Sequence, residues 1–597
     1  MKAILVFDNV NDLLFSKWDE QFLERVKCLN NHVSEEDIAD NYNVSQLLSP
    51  IITSQRVMAA QFGNTYSSMQ CKDKTTIVFD EWLDYVFLII SEETLDNAHR
   101  ELLDCKTFVQ HICGQNINLL HSPVYQDWLS MLLDSRTKGD SIPGASGVIG
   151  ESGATAAALS ALKSASKEIK FTPYQHYHLM LFVGDKLLAL YSSRGSEDLT
   201  PPDIIILSIQ CVAAQEYWKD IEKSDDNKDA LTGSPRLPWL SEENSAIVHL
   251  CASTLNSPCA PHSMNLAQVA PRITFVILVD MEMREVGVAT HTSNLLLSNL
   301  RKLLLQRNLE VLPNTLDSLE AALKKTTNSL RKSKSNAGLC ARLTSRMLEL
   351  RKASATTTPL TPETAAAAMH TALGALAEQL KPDIPSMKLE QPLSELRRHV
   401  APYVDFLCVK AMRYFIVCER TGEMDASTCS LTLHKYVEEF PGLIHFVYVD
   451  RAAGRYLAPD MADCADMLSP QTVRAIVSRG LAVAREGYSA ATWRRGALHA
   501  CAVLWWERRG AAVRPARTPH PAAVRALPPP GDVRGLFYRQ LLELAFPTDN
   551  QGVCIKELIC VHLGLLPAST AVQQARRLAH TVHELAGDNP AAAADLL

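Results

Sequence analysis

The sequence predicts a multi-domain α/β protein in which one unit, a strand pair followed by helices and further strands, recurs. The chain has 597 residues, and single hydrophobic cores stop growing at roughly 250 to 300 residues, so we expect three or four domains. With 47% hydrophobic and 21% charged residues, its composition is that of a packed globular protein. Short apolar runs separated by turn residues alternate three times with segments of helical periodicity, which predicts a repeated α/β order.

A β-hairpin followed by a helix is predicted at the start of the chain. Apolar runs over 3–7 and Leu13 to Trp18 flank a turn-like segment, which predicts two antiparallel strands. Ser49 and Pro50 offer an N-cap and a first-turn proline, because apolar residues follow them at helical spacing. The next predicted elements are strands over 75–80 and 83–90 and helices over 92–113 and 119–133. The first block therefore has the order β-β-α-β-β-α-α.

A segment rich in Gly, Ser and Ala separates the first two blocks. Residues 138–166 supply little apolar surface to bury, so we expect a flexible linker there. The segment contains a G-x-x-G-x-x-G run, made by Gly144, Gly147, Gly150 and Gly153. No Lys-Ser/Thr follows this run, and it is not placed at a strand-to-helix turn, so a phosphate-binding loop is the poorer interpretation.

The second block repeats the order of the first. Gly184-Asp185 is a strong hairpin dipeptide between two apolar runs, and Pro201, Pro202 and Asp203 favour the start of a helix. The predicted elements are strands over 178–183, 186–192, 272–279 and 286–290, a polar loop over 225–238, and helices over 201–217 and 293–307. We therefore expect a second domain of the same architecture.

The third block follows a connector that is predicted to be helical over 314–420. Its predicted elements are strands over 443–450, 455–458 and 497–507, a helix over 470–487, an Arg- and Pro-rich loop over 508–531, and closing helices over 533–545, 553–563 and 570–586. We divide the chain into a first domain (1–137), a flexible linker (138–170), a second domain (171–313), a helical connector (314–430), a third domain with the Arg/Pro-rich loop (431–550) and C-terminal helices (551–597).

Charge and cysteine content exclude several classes of protein. The formal net charge of −7 gives the whole chain no signature of nucleic-acid binding. The longest apolar runs fall well short of the roughly 20 residues that a membrane-spanning helix needs. Fifteen cysteines without a C-x-x-C motif are typical of reduced thiols rather than of a disulfide framework or a zinc site. We therefore expect a cytoplasmic protein.

No motif of an enzyme active site is present in the sequence. It has no G-x-S-x-G, no H-E-x-x-H and no kinase signature, so we expect no covalent chemistry, no cofactor and no small-molecule substrate. His176 and His178 could point to one face and contribute to a metal site, but no further ligand has suitable spacing, which favours half-buried histidines. Cys554 and Cys560 are better interpreted as buried thiols than as nucleophiles.

Arginines cluster between Arg474 and Arg534, with Trp493, Trp505 and Trp506 nearby. Such a cluster could attract anionic lipid headgroups, since each basic residue near a membrane surface contributes on the order of 1 kcal/mol. The Pro content of the segment favours a solvated loop instead. We keep both interpretations of this segment, peripheral membrane contact and a solvated loop.

Four stretches of the sequence, in order along the chain, resemble one family. They are Met1-Lys2 with the strand Ile4 to Val6; Lys186-Leu-Leu-Ala-Leu-Tyr-Ser-Ser193 continuing to Leu199-Thr-Pro-Pro-Asp203; Glu439-Phe-Pro-Gly-Leu-Ile-His-Phe-Val-Tyr-Val-Asp-Arg451; and Leu565-Leu-Pro567 with Val572-Gln-Gln-Ala575 and Arg576-Arg577. These stretches resemble the tri-longin family of Hermansky-Pudlak syndrome protein 1. The resemblance implies three longin-type domains, each an antiparallel sheet with flanking helices. The Ser/Pro-rich insertion of that family's second domain is reduced here to the short loop over 225–238.

The same resemblance implies a function. It implies a subunit of a heterodimeric guanine-nucleotide exchange factor for Rab GTPases of the Rab thirty-two and thirty-eight type, acting in the biogenesis of lysosome-related organelles. The implied partner is a Hermansky-Pudlak syndrome protein 4 homologue, and the implied location is cytoplasmic with peripheral association to organelle or vesicle membranes. The alternative from a different class is a non-catalytic scaffold or tether in vesicle traffic.

The helix after the first hairpin supplies the candidate protein-binding residues. By resemblance the first domain would pair with the partner and present a platform to the GTPase. The local candidates are Ile51, Ile52, Gln55, Arg56 and Met58. The competing interpretation is that the apolar members of this set simply cover the sheet.

Overall fold

Three five-stranded antiparallel units follow one another along the chain. The structure is a computed structural model of the chain. It describes residues 1–8, 11–29, 41–62, 66–138, 142–149, 152–169, 176–224, 245–252, 257–281, 284–305, 310–332, 337–355, 367–368, 390–405, 407–408, 415–417, 429–431, 439–459 and 468–585. The predicted class, an α/β protein with antiparallel sheets and flanking helices, is confirmed.

The first unit is a sheet covered by helices on both faces. Its strands are β1 (Lys2–Phe7), β2 (Leu13–Trp18), β3 (Ser68–Gln70), β4 (Thr76–Trp82) and β5 (Tyr85–Ser91), in the order β2-β1-β5-β4-β3. Its helices are α1 (Glu20–Leu29), α2 (Asn41–Phe62), α3 (Leu95–Cys113) and α4 (Pro123–Ser135). Helices α1 and α2 pack on one face and α3 and α4 on the other. Because both faces are covered, β1 and β5 are continuously apolar instead of alternating.

The second unit has the same strand order. Its strands are β7 (Tyr177–Val183), β8 (Lys186–Ser192), β9 (Ala246–Ala252), β10 (Ser257–Ala270) and β11 (Ile273–Asp280), in the order β8-β7-β11-β10-β9. The helices before and after these strands are α5 (Ser152–Glu168), α6 (Pro201–Ser224), α7 (Arg284–Leu305), α8 (Leu312–Lys332), α9 (Ala337–Ala355) and α10 (Glu390–Val400). Helix α6 packs on one sheet face, α5 and α10 cover the other, and α7, α8 and α9 form their own apolar cluster.

The third unit carries an insertion between its fourth and fifth strands. Its strands are β14 (Leu443–Asp450), β15 (Arg455–Leu457), β16 (Ala490–Arg495), β17 (Leu498–Arg508) and β19 (Val553–Leu563), in the order β15-β14-β19-β17-β16. Its helices are α11 (Pro470–Arg485), α12 (Pro521–Arg525), α13 (Leu536–Ala545) and α14 (Ala568–Leu585), and β18 (Ala511–Val513) pairs with β17 at the start of the insertion. A separate hairpin pairs β12 (Phe415–Val417) with β13 (Cys429–Leu431).

A three-residue strand joins the second and third units edge to edge. Strand β6 (Ser146–Val148) pairs in parallel with β15 on one side and with β8 on the other, so the two units form one twelve-stranded sheet. Gly147 lies in register between Tyr456 and Lys186, and a Cβ on Gly147 would approach Lys186 Cγ to 2.5 Å. The Tyr456 hydroxyl crosses over this glycine and donates to Asp185 of the second unit at 2.8 Å.

Several predicted elements differ from the structure. The segment over 138–170 was predicted to be a flexible linker, but it contains β6 and α5 because both gain tertiary partners that composition alone does not reveal. Residues 553–563 form the fifth strand of the third sheet, and 286–290 lie inside α7, so the predicted helix and strand there were wrong. Helix α2 begins at Asn41, which places Pro50 in its interior. The predicted loop over 225–238 and residues 369–389 of the predicted connector lie outside the described residues.

Candidate protein-interaction surfaces

Helix α2 of the first unit carries all five predicted binding residues. Its buried stripe recurs at helical spacing as Val44, Leu48, Ile52 and Gln55, which are at most 5% exposed. This stripe packs with α1 against one face of the sheet. The side-chain oxygen Oε1 of Gln55 is buried and accepts no hydrogen bond from the described residues. Ile52 and Gln55 therefore cover the sheet, as the competing interpretation of this helix holds.

The other three predicted residues lie at the margin of the buried stripe. Ile51 and Met58 are half-buried, and Ile51 packs against the same core, where its carbonyl accepts a hydrogen bond from Tyr66 at 3.3 Å. Arg56 is half-buried, and its Nη2 donates to the carbonyls of Asp8 and, at 3.3 Å, Asp84. Whether any of the five residues contacts a partner stays a prediction.

Arg56 belongs to an ionic network that also holds the second unit. Burial lowers the pKa of its guanidinium, while Glu81, Asp84 and Asp8 act in the opposite direction. Asp84 accepts from Arg301 of α7 at 2.6 Å, and Glu81 forms an ion pair with Lys302 at 3.1 Å. Arg56 therefore fixes two turns of the first sheet against which α7 packs, and its main structural role is positioning.

The outward side of α2 is formed by residues outside the predicted set. Thr53 and Ser54 are exposed, and Val57 is 41% exposed. Val57 is apolar and lies about 180° around the helix from the buried stripe, and this mismatch was the available signal. We call Thr53, Ser54 and Val57 the α2 outer face. Phe62, which is 66% exposed, lies in phase with the buried stripe at the end of the helix.

The first and second units share one apolar core. Helices α3, α4 and α6 lie between the two sheets, and Trp128 of α4 donates to Gln210 of α6 at 3.0 Å in its interior. Buried histidines line the same interface. Nδ1 of His111 lies 3.2 Å from the His249 carbonyl oxygen. Burial lowers the pKa of His111 to about 3 and those of His249 and His291 to about 4, so these rings are neutral at pH 7.

Charged side chains hold the third unit against the other two. Arg451 is buried, forms an ion pair with Glu557 at 2.6 Å, and donates from Nη1 to the Pro143 carbonyl at 2.8 Å. Burial opposes its charge, but the Glu557 carboxylate raises its pKa. On the first unit, Arg136 Nε lies 2.7 Å from Asp104, which accepts from the Val533 amide at 2.8 Å. Asp104, Arg136, Pro143 and Val533 line a cavity of about 140 Å³ where the three units meet.

Two of the pockets formed by described residues differ in their lining. A pocket of about 340 Å³ in the third unit is lined mainly by apolar side chains, together with Tyr488, Ser489 and Thr518 and with Arg514 as its one charged residue. The charged groups around the 140 Å³ cavity include Asp104 and Arg136, which are paired with each other. Within the part of the chain that is described, no three His, Cys, Asp or Glu side chains could together hold a metal ion.

His178, Cys554 and Cys560, which the sequence offered for metal binding or nucleophilic chemistry, lie in strands. His178 is buried, with Nδ1 2.8 Å from the Ser192 hydroxyl, and burial lowers its pKa to about 4. Cys560 is buried in a strand, where burial raises the pKa of its thiol, and Cys554 donates to the Glu507 carbonyl. Both cysteines are in β19 and not on the helix that the sequence predicted.

Charge is distributed unequally between the first and third units. Residues 2–129 contain nine Lys and Arg against nineteen Asp and Glu, whereas residues 468–585 contain fifteen against seven. The arginines predicted as a cluster are spread over the third unit. Arg485, Arg508 and Arg525 form ion pairs, and Arg494 and Arg495 are exposed on β16. Among the described residues, no helix is long and apolar enough to cross a membrane.

The fold defines a class: a protein built from three small α/β sheets of one strand order, each with flanking helices. Residues 2–129 match the family described as the first longin domain of FUZ, MON1 and HPS1. The match begins at β1 and ends within α4, so it covers the first unit. The first unit is therefore a longin domain, and through it the chain is related to the longin-domain proteins of that family.

Proposed function

We propose that this chain is a subunit, of the Hermansky-Pudlak syndrome protein 1 type, in a heterodimeric exchange factor for Rab GTPases. The observation that carries the proposal is the longin match over residues 2–129, on a unit whose strand order recurs twice more in the chain. The sequence resemblance supplies the finer parts: a Hermansky-Pudlak syndrome protein 4 homologue as partner, GTPases of the Rab thirty-two and thirty-eight type, and a role in lysosome-related organelles. The location that goes with it is cytoplasmic, with peripheral membrane association.

Exchange needs no covalent chemistry from this chain. An exchange factor accelerates nucleotide release because it binds more tightly to the GTPase conformation in which switch I is displaced and the Mg²⁺ site is disrupted. The Mg²⁺ bridges phosphate oxygens within the GTPase, so the exchange factor itself requires no metal.

The α2 outer face is the part of the first unit that we assign to the interaction. Val57 exposes apolar surface on a domain that carries ten more acidic than basic residues. Its neighbours on this face, Thr53 and Ser54, are exposed and uncharged, so the face can pack against a partner helix or sheet without burying a charge. Residues Ile52 and Gln55 support this surface from inside.

Release of a fluorescent guanine nucleotide from candidate Rab GTPases tests the proposal. The reaction is measured with this chain, with its partner, and with the two together. We expect fast release only with the pair. A pair that forms and binds the GTPase but leaves the release rate unchanged would contradict exchange activity and favour the scaffold alternative.

A paired substitution then tests the assigned surface. Thr53→Asp with Val57→Asp, two positions one helical turn apart on this face, is expected to lower the exchange rate or the yield of heterodimer at least tenfold, since a charge in a buried interface is costly. The matched control is Leu348→Asp, because Leu348 is 56% exposed on α9, far along the chain from α2. Equal loss in the control, or no loss in the paired variant, would remove the α2 outer face from the site.

A further inference from the structure

The end of the third sheet combines exposed arginines with an exposed leucine. Strand β16 ends at Arg494 and Arg495, both exposed, and the turn to β17 follows. Leu565, in the turn after β19, is 94% exposed, and Leu563 is 44% exposed. We call Arg494, Arg495, Leu563 and Leu565 the third-unit tip.

Strand pairing brings Arg495, Leu563 and the turn that carries Leu565 together. Arg495 pairs with Leu498 of β17, and Leu498 pairs with Leu563 of β19, so the three lie in one row across adjacent strands. Directly opposed residues of antiparallel strands point to the same face, so Arg495 and Leu563 share a face. The Gly564 amide donates to the Ala497 carbonyl at 2.6 Å, which ties the turn that carries Leu565 to the β16–β17 turn.

The arginines of the tip differ from three other arginines of this unit. Arg485, Arg508 and Arg525 form ion pairs with carboxylates. Among the described residues, neither Arg494 nor Arg495 forms an ion pair within 4.0 Å. Their unit also has eight more basic than acidic residues over 468–585, which adds a long-range positive potential.

We propose that the third-unit tip is a contact site for an anionic phospholipid surface. Arginines beside a protruding leucine suit the membrane interface, where the guanidinium groups bind lipid phosphates and the aliphatic side chain enters the acyl boundary. A single leucine on a narrow turn supplies little area for a protein interface, whereas a lipid surface accepts it without a matching pocket. Arg494 and Arg495 also discourage another strand from adding to the open edge of β16. The proposal does not depend on exchange activity.

Flotation or sedimentation of the full chain with vesicles tests the site. Vesicles of phosphatidylcholine alone are compared with vesicles that also contain phosphatidylserine, at low and high salt. We expect binding only to the anionic vesicles, weakened by salt. Arg494→Gln with Arg495→Gln should lower the partition coefficient roughly 5- to 30-fold, about fivefold for each arginine. Leu565→Ser should lower it severalfold at every salt concentration.

A matched pair of arginines separates a local site from the overall charge. Arg514 and Arg517 are exposed in the same unit, near the far end of β17. Trp506, which pairs with Val513 there, lies eight residues from Leu498, or roughly 26 Å at about 3.3 Å per strand residue. Arg514→Gln with Arg517→Gln removes the same charge and is expected to leave most of the binding.

Three outcomes would overturn the proposal. Equal losses in the two arginine pairs would assign vesicle binding to net charge. Unchanged vesicle binding after Leu565→Ser, together with loss of an acidic protein partner, would make the tip a protein interface. Tip substitutions that abolish self-association in sedimentation instead would assign it to the acidic first unit of a second copy. Nucleotide release from a GTPase in solution, measured on the same variants, should stay unchanged, which separates this site from the exchange proposal.

Discussion

The junction between the first and second units and the junction between the second and third units use different physical interactions. The first is face to face: helices α3, α4 and α6 fill the space between two sheets, and the buried histidines in it are neutral. The second is edge to edge: β6 joins two sheet edges by backbone hydrogen bonds, and Arg451, which is paired with Glu557 of its own unit, donates to the Pro143 carbonyl just before β6. Burial of apolar surface stabilises the first junction, whereas backbone pairing and charged side chains stabilise the second.

The two junctions show that one kind of five-stranded unit can be joined to its neighbour through a sheet face or through a sheet edge. In the first unit the helices after the fifth strand cover the sheet, whereas in the second unit that face is covered by α5 and α10, which come from outside the repeat. Strand β6 makes the edge of the second sheet continuous with the edge of the third, because it pairs with β8 and β15. Neither of these two edge strands remains open. The second and third units therefore form one continuous sheet.

Removal of Arg451 should have the largest effect, because it breaks the second junction. Arg451→Ala leaves the Glu557 carboxylate buried without its partner, which typically costs roughly 3–5 kcal/mol. We expect faster hydrogen exchange in β6, β14 and β19, measured by mass spectrometry, with little change in the first unit. Arg455→Ala, at an exposed position on β15, is the control and should change exchange little.

A second substitution tells whether the uncompensated charge is the cause. Glu557→Gln in the Arg451→Ala background removes the buried charge, and its amide can still accept from the Tyr538 hydroxyl, which donates to Glu557 at 2.8 Å. We expect partial recovery of protection. Equal protection in the single and double variants would show that shape and not charge holds this junction.

Acidification should weaken the first junction by a smaller amount. The folded-state pKa values of His111, His249 and His291 lie below the unfolded value of about 6.5, so the unfolded chain binds more protons between about pH 4 and 6.5. Stability is thus fully present above pH 6.5 and is lost as the pH falls through this window. The loss at pH 6 is on the order of 1 kcal/mol per histidine.

Local hydrogen exchange separates this effect from other titrations. We expect α3 and β9 to lose protection between pH 7.5 and 6, after correction for the intrinsic exchange rate. Helices α8 and α9 contain no histidine and serve as the internal control. Asp532 acts in the opposite direction: burial raises its pKa to about 7, so its contribution increases as the pH falls. Uniform loss in all four elements would contradict a histidine-lined junction.

The sequence predicted the hairpins of this fold better than its junctions. Gly184-Asp185 between two apolar runs identified β7 and β8, because turn chemistry and strand patterning agree there. The run 553–563 is apolar on both faces, so its periodicity does not distinguish a buried strand from a helix. Strand β6 has three residues and exists only because two sheet edges pair with it. Patterns within one segment do not contain that information.

The candidate surface shows the same limit. The sequence identified α2 as an amphipathic helix but selected Ile52 and Gln55, which face the sheet. The predicted start of this helix was Ser49 and Pro50, whereas the helix begins at Asn41. The buried residues Val44 and Leu48, which precede the predicted start, show that Ile52 and Gln55 continue the buried side and that Val57 lies opposite.

The smallest expected effect is that of a single methyl group at the second junction. Gly147→Ala places Cβ 2.5 Å from Lys186 Cγ and 3.1 Å from the Tyr456 hydroxyl oxygen, so one of these side chains must move. Overpacking of this kind costs roughly 1–3 kcal/mol, and displacement of Tyr456 also weakens its hydrogen bond to Asp185. We expect a moderate gain in hydrogen exchange in β6 and β8, below that of Arg451→Ala.

The control for this substitution is another glycine that has free space around it. Gly338 lies in α9 with no atom within 4 Å of an added Cβ, so Gly338→Ala should leave α9 as protected or slightly more protected. If Gly147→Ala leaves β6 unchanged, the edge-to-edge contact tolerates a shift of Tyr456, and the close packing at Gly147 is not what holds the junction. If it exposes β6 while α9 holds, backbone pairing across β6 is an independent part of the junction, because the ion pair is intact in this variant.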